Sequence, residues 1–156
     1  MPNTTTVASS YVFLGHYAAS SAGNTATLDN SVWNIAGNLD VGYGGQGSVI
    51  LKNSALTATG NVVLGNGNGA QGSMDLQPGS TLSGTQLLIG SMGQGTLTAD
   101  GASTSITASG VVIGDAASST NSSATLSNGA QLNAGTGVVY VGNSGQGTLT
   151  LSNGAS

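Results

Sequence analysis

The sequence predicts an all-β chain wound into a three-sided parallel β-helix, a β-solenoid of about six coils with roughly 24 residues per coil. Three observations carry this. A short apolar run closed by glycine recurs six times, at Gly15, Gly42, Gly65, Gly90, Gly114 and Gly142, at intervals of 23 to 28 residues. Each recurrence leads into two further alternating runs set apart by turn residues, so one unit holds three short strands and three turns. Gly, Ser, Thr and Asn fill more than half of the 156 residues, which disfavours helix throughout.

The first strand of each unit reads Val12-Phe13-Leu14, Leu39-Asp40-Val41, Val62-Val63-Leu64, Leu87-Leu88-Ile89, Val111-Val112-Ile113 and Val139-Tyr140-Val141. Period-2 alternation sends the outer two residues of each triplet inward and the middle one outward. A polar loop follows, often ending in a Gly-Gln-Gly-like signature: Gly45-Gln46-Gly47, Ala70-Gln71-Gly72, Gly93-Gln94-Gly95 and Gly145-Gln146-Gly147. This loop varies most, being short in the second coil and long at Gly114 to Ser123, as expected where insertions leave the rod without disturbing it. The second strand places Ala26/Leu28, Val49/Leu51, Met74/Leu76, Leu97/Ala99, Ala124/Leu126 and Leu149/Leu151 inward. A turn comes next, with Asn30, Asn53, Asn128 and Asn153 at one recurrent position. Asn tolerates positive φ, and its amide can stack along the rod as a ladder, which Pro78 and Asp100 interrupt at the same corner. The third strand supplies Trp33/Ile35, Leu56/Ala58, Leu82, Ile106/Ala108 and Leu132/Ala134.

A triangle of three strands has no second layer and cannot bury these residues alone. Stacking the units as successive coils closes the interior and pairs each strand with its copy in the next coil. Six rungs at the usual strand spacing give a rod about 29 Å long. Residues 1–9 are read as an N-terminal extension, and residues 10–156 as one solenoid domain that ends mid-coil.

Composition excludes several function classes. The chain has one cation, Lys52, against five aspartates, for a net charge of −4. One lysine cannot neutralise a phosphate backbone, so no nucleic-acid partner is expected. No run approaches the ~20 apolar residues of a membrane helix, so this segment is not expected to insert. The start, Met1-Pro2-Asn3-Thr4, has neither the charged nor the apolar region of a secretory signal. With no cysteine, disulfides and thiolate sites are absent.

Units of the form L-x-V-G-x-x-G-x-G-T-L-T-x-x-x-G-A, at Val139 to Ala155 and Leu87 to Ala102, resemble bacterial autotransporter passenger repeats. The resemblance covers nearly the whole chain from about Ser10. It implies a right-handed parallel β-helix displayed at the bacterial surface by type V secretion, and an adhesive or self-associating role. It carries over no functional residue, because the matching positions are scaffold positions. The chain would be a passenger segment, extracellular or held at the cell surface.

No enzymatic activity, metal or cofactor is expected. Gly42-Tyr43-Gly44-Gly45-Gln46-Gly47 matches a dinucleotide fingerprint in form, but a strand follows it where a helix is required. The glycine-rich loops lack the aspartates of calcium-binding nonapeptides, and Asp115 is the one loop carboxylate worth testing. Asp40 and Asp75 project from different faces, Asp29 and Asp100 sit at turns, and His16 stands in a loop with no evident partner.

Two outward rows are more informative. Phe13, Val63, Leu88, Val112 and Tyr140 form a candidate contact stripe on the first strand, broken only by Asp40. On the second strand Thr25/Thr27, Ser48/Ile50, Ser73/Asp75, Thr96/Thr98, Ser123/Thr125 and Thr148/Thr150 make hydroxyl rows of the kind that ice-binding surfaces use. The functional expectation is a structural or adhesive rod. It would self-associate laterally or head to tail, or engage a host or cell-surface ligand. The alternatives are a fibre subunit, an inert spacer or an ice-binding solenoid.

Overall fold

The computed structural model describes residues 5–17 and 23–156. Among them there are eighteen strands and no helix, arranged as three parallel sheets of six strands. Sheet A holds β1 (Thr5–Ser9), β4 (Ser31–Ile35), β7 (Ala55–Ala58), β10 (Thr81–Gly84), β13 (Ser105–Ala108) and β16 (Gln131–Asn133). Sheet B holds β2 (Val12–Leu14), β5 (Leu39–Val41), β8 (Val62–Leu64), β11 (Leu87–Ile89), β14 (Val111–Ile113) and β17 (Val139–Val141). Sheet C holds β3 (Asn24–Asp29), β6 (Gln46–Lys52), β9 (Gln71–Leu76), β12 (Gln94–Asp100), β15 (Ser122–Ser127) and β18 (Gly147–Leu151). Every third strand pairs with the next, so the chain is a solenoid of about six coils, as its periodicity predicts.

The register superposes equivalent residues. Leu14, Val41, Leu64, Ile89, Ile113 and Val141 stand one above another in sheet B. The inward rows of all three sheets meet in one core, where Leu39, Leu51, Leu56, Leu64, Leu76, Ile89, Leu97 and Ile113 are fully buried. Burying the whole of such a side chain contributes about 1.5–3 kcal/mol, and the continuous column repeats that gain on every inner rung.

Thr5–Ser9, which lies within the stretch read from sequence as an extension, pairs in register with Ser31–Ile35 as the first rung of sheet A. Its single large apolar residue, Val7, occupies the row of Trp33.

The turns between sheets C and A carry the predicted positive φ. Asn30, Asn53, Asn128 and Asn153 have φ of 46 to 53°, and Gly79 and Gly101 supply positive φ in the two coils that lack Asn. The amides form the ladder in two pieces, Asn53 Nδ2 to Asn30 Oδ1 at 2.8 Å and Asn153 Nδ2 to Asn128 Oδ1 at 3.1 Å. Asp100 lengthens the second piece, because its carboxylate accepts Asn128 Nδ2 at 2.6 Å. Sequence reasoning missed a second ladder at this corner. Ser54, Ser80 and Thr104 are buried there, and the Ser54 and Ser80 hydroxyls accept the backbone N–H groups of Ser31 and Ser54 in the preceding coils.

Candidate functional site

Sheet B brings the predicted stripe together. Phe13, Asp40, Val63, Leu88, Val112 and Tyr140 are register partners in one row along the outside of the rod. Their exposure is uneven. Phe13 and Tyr140 at the ends are 44% and 48% exposed, Leu88 and Val112 are half-buried, and Asp40 and Val63 retain only 5% and 6%. Asn66, in the loop after β8, covers Asp40, and its Nδ2 donates to the carboxylate at 2.7 Å. The stripe is therefore open at its ends, half open at Leu88 and Val112, and closed at Asp40 and Val63.

The loop residue just after each closing glycine forms its own column. His16 and Tyr43 occupy it in the first two coils and stack with their ring planes 7° apart and centroids at 5.1 Å. Phe13 meets both rings edge-on, at 5.2 and 5.1 Å, and Tyr17 meets His16 at 4.3 Å. His16, which has no visible partner in the sequence, thus sits within an aromatic cluster assembled from residues 27 positions apart. Further along the rod the same loops pair Asn143 Nδ2 with Asp115 Oδ1 at 2.9 Å, which ties that loop carboxylate to the next coil.

Two carboxylates are perturbed in opposite directions. Burial pushes the Asp40 carboxyl up from its ordinary value, against the opposing effect of the Asn66 hydrogen bond. Hydrogen bonds from Ser127 Oγ and Asn128 Nδ2, each at 2.6 Å, hold Asp100 below the usual carboxylate range. Because folded Asp40 keeps its proton to higher pH than the unfolded chain does, its effect on stability turns unfavourable as pH rises from the unfolded value through the raised folded one. Asp40→Asn keeps an oxygen for Asn66 and removes the buried charge. It should raise the thermal midpoint at neutral pH, by about 2–4 °C for each kcal/mol relieved, and change nothing below about pH 3. Circular dichroism melts across pH test this, and a lower midpoint at neutral pH would show the charge to be stabilising.

The hydroxyl rows on sheet C are in register and partly engaged. Thr25 Oγ1 and Ser48 Oγ share a hydrogen bond at 2.8 Å, Thr98 Oγ1 donates to Asp75 Oδ1 at 2.5 Å, and Ile50 stands beside Asp75 in the same row. Asp40 lies on sheet B and Asp75 on sheet C, as the alternation predicts. Among the described residues no three of His, Cys, Asp and Glu gather closely enough to hold a metal ion. No protein-family model, curated protein or solved structure matches the chain.

Proposed function

We propose that the chain is a structural, adhesive rod that acts outside a bacterial cell, as a passenger-type segment, through repeated lateral contacts and without catalysis. One observation supports this above the rest. Among the described residues, the exposed large apolar side chains outside the first and last coils, Tyr43 and Met92, both sit in loops that follow sheet B strands, and Phe13 and Tyr17 of the first coil lie on the same side. Tyr140 extends the same side at the last coil. Outward positions on sheets A and C carry mainly hydroxyls and amides. Apolar exposure on one flank of a stiff column favours side-by-side contact, and repetition along the column multiplies weak contacts into avidity. With one cation and five carboxylates there is little long-range repulsion to keep like rods apart.

The expected result is that Leu88→Asp combined with Val112→Asp reduces self-association in analytical ultracentrifugation while the β-sheet circular dichroism stays unchanged. Both side chains are half-buried, so the carboxylates reach solvent. Unaltered association would overturn the lateral reading and leave a spacer.

A second reading, stacking end to end into a fibre, draws on the last rung. Val139, Val141 and Leu151 stand in inward rows yet are 41 to 48% exposed, and the outer edges of β16, β17 and β18 offer backbone groups for pairing. Regular long fibres in electron micrographs of the purified chain would favour it, and discrete short rods would oppose it.

A further inference from the structure

The Gly-Gln-Gly signatures build a feature that the contact flank does not use. Gln46, Gln71 and Gln94 open successive sheet C strands and are register partners, as are Ser48, Ser73 and Thr96 two residues on. Between the two columns run Gly47 and Gly72, buried, whose α-carbons turn inward against the corner backbone of the sheet B strands, so the gap is floored by backbone alone. The result is a shallow groove of about 330 Å³ along the rod axis, walled by amides on one side and hydroxyls on the other. The walls stand about 7 Å apart, two residues along a strand, and each wall repeats about every 4.8 Å, one rung.

The chemistry of this groove is specific in what it offers. Gln46 and Gln71 project into solvent with neither amide hydrogen-bonded to another described residue, while Gln94 Nε2 donates to the Asn121 carbonyl at 3.3 Å. An amide presents two donors and an acceptor, and a hydroxyl presents both kinds, so each rung can give and receive. No cation lines the groove, and the nearest charged position along the face is Asp75, two residues beyond Ser73. A polyanion would be repelled. At one end, Asn24, the register partner of Gly47, also lines the adjoining hollow formed by Phe13, His16 and Tyr17. Phe13 and Tyr17 are 44% and 71% exposed there, and an aromatic ring suits the apolar C–H face of a sugar.

We infer that this groove binds a linear neutral polysaccharide lying along the rod, one sugar unit to about one rung, with the aromatic cluster as an end platform. An extended pyranose chain advances by nearly one strand spacing per unit and carries hydroxyls on both edges, matching both walls. An extended peptide advances only about 3.3 Å per residue and falls out of step.

Affinity electrophoresis through gels containing hydroxyethylcellulose, glucomannan or alginate tests this. Hydroxyethylcellulose or glucomannan should retard the chain and alginate should not. The triple variant Gln46→Ala, Gln71→Ala, Gln94→Ala should bind at least tenfold more weakly, with unchanged circular dichroism and unchanged sedimentation. Ser73→Leu, which fills the groove from the other wall, should weaken binding likewise. The Leu88→Asp, Val112→Asp variant should keep glycan binding, which separates this site from the contact flank. No retardation by either neutral polymer, stronger retardation by alginate, or equal retardation of the triple variant would each overturn the inference.

Discussion

Gly65→Ala should destabilise the rod by about 3 kcal/mol or more, whereas Gly69→Ala should cost only about 1–2 kcal/mol. The two glycines have nearly the same backbone, φ of +69° and +76°, so a β-carbon adds similar left-handed strain to each. They differ in what that carbon meets. At Gly69 nothing lies within 4 Å, but at Gly65 the carbon would overlap the carbonyl of Gln94 in the next coil. The neighbour cannot yield cheaply, because Gln94 opens β12 and is held in register with Gln71 of β9, and the Gly65 carbonyl itself accepts the Gly93 N–H at 2.9 Å. Gly42 and Gly114 meet the next coil in the same way, so the column of corner glycines sets how closely rungs stack. Urea denaturation of both variants measures the difference, and equal losses would mean that backbone strain alone explains the recurrence.

Leu64→Ala and Val141→Ala should separate just as widely. Both side chains stand in the same inward row, three strand pairings apart by sheet order. Leu64 is fully buried at a middle rung, and its truncation leaves a cavity expected to cost about 2–5 kcal/mol. Val141 is 45% exposed on the last rung, and its truncation should cost well under 1 kcal/mol. Because each coil touches only its neighbours, weakening a middle rung also uncouples the two halves, so the Leu64→Ala transition should broaden or split. A single sharp transition with equal losses for both variants would contradict nearest-neighbour stacking.

How far these features can be read from the chain depends on the distance over which each is encoded. Inward rows are local, since alternation within three to six residues marks them, and every inward residue named from sequence except Val139, Val141 and Leu151 of the last rung lies in the core or packs against it. β1 escaped because Thr5-Thr6-Val7-Ala8-Ser9 has one large apolar residue and no glycine corner before it. The roof over the stripe is not local. Asn66 covers Asp40 from 26 positions away, and the pairing of His16 with Tyr43 likewise exists only once the coils are stacked. The buried hydroxyl ladder was hidden differently, because the turns that carry Ser54, Ser80 and Thr104 differ in length and blur the repeat. The glutamines were visible as a recurring signature, but the groove beside them exists only once three coils set their amides and hydroxyls in register.

The pairing direction also has a mechanical side. In all three sheets the inter-strand hydrogen bonds point from coil to coil, so a pull on the two termini strains them a coil at a time and never all together. Tension would peel the terminal coil first, paying out roughly 80 Å of slack for each turn released, and the remaining coils would stay wound. Such a rod yields gradually under shear, lengthening several-fold before its last inner turn lets go.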